Sequence, residues 1–129
     1  MVKAIVIGAV VMVSAAAVVV AQQSGFSRTI LQTVDISVPE RQAVTGKAEF
    51  ATAGATVGKH THPGEEIGYI LEGTLTIDIN GTVKTLKAGE TFAIPANTVH
   101  NATNAGPGKA AIVSTYIVEK GKPLATPVK

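Results

Sequence analysis

The residues best placed to do chemistry in this chain are its three histidines, His60, His62 and His100, with the carboxylate of Glu66. Side chains two apart on a strand point to the same face, so His60 and His62 can aim two imidazoles at one point. Glu66 has the same parity beyond the Pro63-Gly64 turn and can fold a carboxylate back over that point, whereas its neighbour Glu65 has the opposite parity. Two imidazoles and a carboxylate suit Fe, Mn, Ni, Cu or Zn better than Ca or Mg. His100 would add a third nitrogen from another strand. A lone buried histidine is most often an ordinary core residue, but here all three of the chain's histidines fall into one arrangement.

Strands must hold these groups. From Ser24 onward no helical period is sustained, and short alternating stretches are separated by Gly, Pro and Asn, the pattern of an all-β sandwich or barrel. Strands are expected near 43–52, 58–62, 66–72, 74–79, 82–86, 90–94, 99–103 and 110–118. The firmest is the hairpin in which Asn80-Gly81 joins 74–79 to 82–86, because Asn-Gly supplies the two positive-φ residues of a type I′ turn. Leu75, Ile77 and Ile79 should then share one face. Residues 22–45 read as an N-terminal arm or edge strand, 46–118 as a single barrel, and 119–129 as a tail.

Composition narrows the rest. With 129 residues, 46% hydrophobic and 16% charged, the chain can bury one core and is not a disordered protein. Eleven basic against nine acidic residues give a formal charge of +2, too weak and scattered for a nucleic-acid surface. Cysteine is absent, which excludes disulfides, thiolate metal sites and cysteine nucleophiles. The signatures of serine hydrolases, P-loops and dinucleotide sites are absent as well. The first residues have their own logic. Lys3 precedes an apolar run over 4–21 broken only by Gly8 and Ser14, then Val19-Val20-Ala21 gives way to Gln22-Gln23. That layout predicts a secretory signal over 1–21, cleaved after Ala21, and hence a periplasmic or secreted protein with no stable membrane association. An uncleaved N-terminal anchor is the alternative, since 18 residues just suffice to span a bilayer.

Around the histidines the chain resembles the cupins. Their first motif is matched by Gly54, five residues, His60-Thr61-His62, three residues, Glu66, six residues and Gly73. Their second is matched by Gly89, five residues, Pro95-Ala96-Asn97, two residues, His100, three residues and Asn104, with Asn97 replacing the usual Gly. Asn is the next most tolerant residue of a left-handed turn, so the turn should survive. The two motifs are separated by 15 residues, a compact spacing typical of small microbial cupins. The resemblance covers about half of the domain. It implies a double-stranded β-helix of jelly-roll type, often dimeric, with a divalent transition metal on His60, His62, Glu66 and His100. It also implies a small exported cupin of the quercetin-dioxygenase-like type.

Four protein ligands leave about two positions open on an octahedral ion, the layout of a site that admits a ligand. Cupins with this ligand set include dioxygenases, oxalate-degrading enzymes, isomerases and decarboxylases, while others only bind sugars, so the fold leaves the reaction open. A metal-dependent oxygenase-like or isomerase-like enzyme and an exported binding module without turnover both stand. Glu66 is the candidate for proton transfer. The cavity is expected to be apolar and to favour a small, partly hydrophobic ligand over a charged one. Tyr69 is expected on the outside, Tyr116, Phe50 and Phe92 in the core, Asn104 in a structural turn, and Arg28 and Arg41 in solvent. Ile30, Val34, Ile36 and Val38 make the arm too apolar to leave in water. It can lie on its own barrel or cross to a neighbour, and a homodimer that buries it is expected. Mass spectrometry of material exported from a bacterial host should find a chain beginning at Gln22. A full-length, membrane-retained product would identify residues 4–21 as an anchor.

Overall fold

Alternation decides the architecture. Along Arg41–Phe50 every second residue from Val44 is buried, and the same period runs through Gly64–Glu72, His100–Asn104 and Ala110–Glu119. Period-two burial places one face of each strand against a core. The computed structural model describes residues 25–129, and the signal or anchor expected over 1–21 lies outside them. In chain order the strands are β1 (Phe26–Asp35), β2 (Arg41–Phe50), β3 (His60–Thr61), β4 (Gly64–Glu72) and β5 (Thr74–Ile79). They continue as β6 (Thr82–Lys87), β7 (Thr91–Ile94), β8 (His100–Asn104), β9 (Ala110–Glu119) and β10 (Thr126–Pro127).

Two antiparallel five-stranded sheets face one another, in the orders β1-β2-β9-β4-β7 and β10-β3-β8-β5-β6. Few neighbours in either sheet are consecutive in the chain, as expected where a jelly roll winds back and forth between its layers. The domain is all-β, a double-stranded β-helix. Between the sheets, Phe50 and Ile112 of the first meet Leu75, Ile77 and Ala102 of the second, with Ile70 beside them. Ile70 and Leu75 are wholly buried, and each such side chain stabilises the fold by about 1.5–3 kcal/mol.

Local signals hold up where backbone chemistry carries them. Asn80 and Gly81 have φ of 50° and 89°, the type I′ turn expected, and β5 pairs with β6 directly across it. Asn97 has φ of 56°, so asparagine does serve in the left-handed position. Asn104 is structural. Its Nδ2 donates to the carbonyls of Phe50, Thr52 and Gly108, and its Oδ1 accepts from the Gly106 amide at 3.0 Å. Gly68 is required by its neighbour, since a Cβ there would sit 2.1 Å from the Phe92 ring.

Both ends of the described chain join a sheet. Residues of the arm form the edge strand β1, paired with β2 of the same chain from Phe26↔Phe50 to Asp35↔Gln42, with a bulge between Ile30 and Gln32. The segment expected to be a plain tail contains β10, which pairs with β3 through Thr126↔Thr61 and Pro127↔His60. Its pairing partner is the strand that carries the first histidine.

Candidate metal centre

Both sheets contribute to the site. His60 on β3 lies directly opposite His100 on β8, and His62 follows at the end of β3. The chain then crosses through Pro63 to the other sheet, where Glu66 on β4 stands between Tyr116 of β9 and Ile94 of β7. Strand parity turns all four inward, and none is more than 6% exposed. Glu65 points out to solvent. One nitrogen or oxygen from each of His60, His62, Glu66 and His100 lies within 4.8 Å of the others.

Hydrogen bonds fix which atoms face inward. Nδ1 of His60 donates to the Gly58 carbonyl at 2.7 Å, and Nδ1 of His100 donates to the Thr98 carbonyl at 2.8 Å. Nδ1 of His62 donates to the carbonyl of Leu124. A carbonyl can only accept, so each of these three nitrogens carries the ring proton. In the neutral imidazoles the three Nε2 atoms are then bare lone pairs. Nε2 of His60 lies 3.1 Å from Nε2 of His62, and Nε2 of His62 and His100 lie 3.1 and 3.2 Å from Oε2 of Glu66. Four buried acceptors this close repel one another unless a cation lies between them. Two ligands about 2.1 Å from one ion and at right angles sit about 3.0 Å apart, so the spacing fits a metal.

The surroundings keep the donors ready. Burial is the main cause that lowers the pKa of His60 to about 4, against the opposing pull of the Gly58 carbonyl. That ring is therefore neutral at pH 7, with its lone pair free. Burial alone would raise Glu66, but its polar contacts, among them the hydroxyl of Ser114, outweigh it and hold the carboxyl below the ordinary range. Oγ of Ser114 donates to Oε1 of Glu66 at 2.7 Å, leaving Oε2 to face the histidines. Tyr116 closes the floor, its ring 4.7 Å from that of His62, with its hydroxyl pushed up to about 12 by burial and by the negative charge of Glu66.

A cavity of about 20 Å³ adjoins these groups, with His60, Glu66 and His100 in its wall. Tyr69 lies outside, as expected, and is 46% exposed. Phe50, Phe92 and Tyr116 do more than fill the core, because they also line this cavity. Arg28 corrects the sequence reading: it turns inward opposite Ala48 on β2 and lines the cavity instead of standing in solvent. The reason is register, since a residue two positions from Phe26 shares its inward face. Ser114, Tyr116 and Leu124 complete a shell around the ligands that motif spacing does not contain.

The cupin domain family matches residues 47–116, more than half of the chain. The chain belongs to the cupin family. A stretch of 64 residues is 39% identical to the HTH-type transcriptional regulator PuuR of Escherichia coli, covering 49% of this chain and 35% of that protein. Germin-like protein 3-5 of Oryza sativa is 35% identical over 79 residues, covering 54% and 34%. The chain thus spans about a third of the length of these curated relatives. Among solved structures, an oxalate oxidase in complex with the substrate analogue glycolate is 26% identical with a TM-score of 0.66, covering 84% of this cupin and 57% of that chain. An RmlC-like cupin from Shewanella frigidimarina is 27% identical with a TM-score of 0.58, covering 75% and 79%.

The cupin purified without chelators should carry about one divalent transition metal per chain, because it has one such ligand set. A His60→Ala/His62→Ala/His100→Ala variant should carry none, and equal metal content would overturn the assignment. Ser114→Ala should keep the ligands yet bind roughly 10-fold more weakly, as loss of an orienting hydrogen bond does. Competition with a chelating dye measures both.

Proposed function

We propose that this cupin is a metal-dependent enzyme, oxygenase-like or isomerase-like, acting on a small ligand that enters beside the metal. The observation that carries the proposal is the pre-set tautomer of all three histidines beside a cavity. A purely structural site would be enclosed by its ligands, whereas this one borders a cavity. The similarity to a solved oxalate oxidase supports an enzyme without choosing the reaction.

A divalent transition ion held by His60, His62, Glu66 and His100 would supply Lewis acidity and, if redox-active, access to oxygen chemistry. The chain's own residues define what happens around it. Phe50, Ile77, Phe92 and Ile94 exclude bulk water and strengthen electrostatic interactions within the cavity. Glu66 is the one carboxylate in its wall among the described residues, and the Tyr116 phenol stays protonated at neutral pH. A proton moved within the cavity therefore passes through an oxygen of Glu66 or the hydroxyl of Tyr116. The scarcity of further acid–base groups favours the second reading, an exported binding module without turnover.

Metal analysis of the as-isolated protein, followed by oxygen uptake with enolic compounds and oxalate, separates the two. Iron or manganese with substrate-dependent uptake is the expected result. A redox-inert metal, with neither uptake nor isomerised product, would establish the binding module.

We also propose that the mature protein is exported and forms a two-fold homodimer. Pairing β1 in cis leaves Ile30, Leu31 and Val34 between 40% and 57% exposed along a sheet edge, with Val38 52% exposed in the bend beyond it. A row of apolar side chains on an open edge is a pairing surface, and a second copy supplies a matching row. Light scattering should give a dimer for the wild type and a monomer for Leu31→Glu. A monomeric wild type would refute the pairing.

A further inference from the structure

Arg28 is the cation in the cavity wall, and its surroundings leave it without a counter-charge. Its guanidinium carbon lies 5.6 Å from the centre of the Phe26 ring and 5.7 Å from that of Tyr116. Those ring faces hold the group but accept no strong hydrogen bond. Nε of Arg28 is buried and has no hydrogen-bond partner. Among the described residues the ion pairs use Lys47, Lys120, Lys122 and the site histidines, and Arg28 takes part in none. A buried donor of this kind calls for an acceptor that the chain does not provide.

We propose that Arg28 is the recognition residue for a small carboxylate ligand, with a guanidinium fork at one end of the cavity and the metal centre at the other. This rests on the metal-dependent reading above and names its substrate class. Tyr116 links the two, its ring centre 4.7 Å from that of His62 and 5.7 Å from the Arg28 guanidinium carbon. A divalent ion, the Glu66 carboxylate and the Arg28 guanidinium leave the filled site with net positive charge, which favours an anion in a cavity that excludes water. A planar fork of N–H donors matches a carboxylate in a way that a lysine or a hydroxyl does not. The cavity is small enough to hold about one or two waters, so the acid must be short. A charged, compact ligand replaces the mostly apolar one suggested by the aliphatic residues alone.

Glycolate and its uncharged amide, glycolamide, are the probes, titrated calorimetrically into the Co(II)-loaded full chain, with cobalt content measured alongside. The wild type should bind glycolate roughly 10-fold or more tightly than glycolamide. Arg28→Gln should bind glycolate roughly 10-fold or more weakly, with cobalt content and glycolamide affinity unchanged. Wild-type glycolate affinity in a folded, cobalt-replete Arg28→Gln protein would overturn the proposal. If Arg28→Gln does not fold, Arg28→Lys decides: weaker glycolate binding supports the fork, and wild-type affinity overturns it. If the wild type takes up no cobalt, the metal-dependent reading fails on its own. The metal-free protein then tests Arg28 alone, and glycolate binding lost in the variant upholds its role, while no glycolate binding by the wild type ends it.

Discussion

Everything at the centre of this barrel depends on where three ring protons sit. Each Nδ1 is spent on a backbone carbonyl, so three Nε2 lone pairs and a carboxylate oxygen are pressed together inside the barrel. In an apolar interior such a cluster is costly unless something positive joins it. The fold keeps the cluster because the strands around it are tied down elsewhere, by side chains such as Ile70 and Leu75 and by ladders such as β2–β9. Packing energy from the core thus stabilises an arrangement of donors that would not assemble by itself.

The two-sheet construction is what makes the donors converge. His60 and His100 are cross-strand neighbours in one sheet, and their rings lie 4.2 Å apart. Glu66 comes from the opposite sheet, held by Ser114 on the adjacent strand. A carboxylate on the same sheet as the histidines would meet them edge-on along the pleat. Placed across the barrel, it closes the cluster from the far side, beside a cavity that Phe92 and Ile94 help to line. The inward ring of Phe92 needs the missing side chain of Gly68, so a glycine within β4 helps to shape the wall of the cavity.

The sequence was legible where residue type itself carries the signal. Period-two burial, the Asn80-Gly81 turn, the left-handed Asn97 and the ligand spacing each demand particular side chains, and each appears where it was expected. Ser114 was readable in principle, as a polar residue on the inward face of β9 between Ile112 and Tyr116. Arg28 was misread because a charged residue near a chain end is usually solvated, and only its register against β2 reveals that it turns inward. Carbonyl acceptors leave no trace at all. Any residue could supply the oxygen that Gly58, Thr98 and Leu124 provide.

Those three carbonyls are not equivalent. Gly58 and Thr98 each stand two residues before the histidine they orient, so a short stretch of backbone fixes His60 and His100 locally. His62 has no such local partner. Its Nδ1 reaches a carbonyl 62 residues away, in the segment that then forms β10 and pairs back onto β3 through Thr126 and Pro127. The Val128 amide donates to the Lys59 carbonyl, closing a loop around the His-Thr-His segment from behind. One ligand of the cluster is therefore oriented by the last turn of the chain. Its alignment depends on Leu124, whose side chain packs against Val44, Tyr116 and Val118, and on the short strand β10 that follows it. Loss of that packing would free His62 to rotate or change tautomer while His60, His100 and Glu66 kept their places. Three donors of the cluster are thus braced by neighbouring strands and local backbone, and the fourth by a distant segment around Leu124.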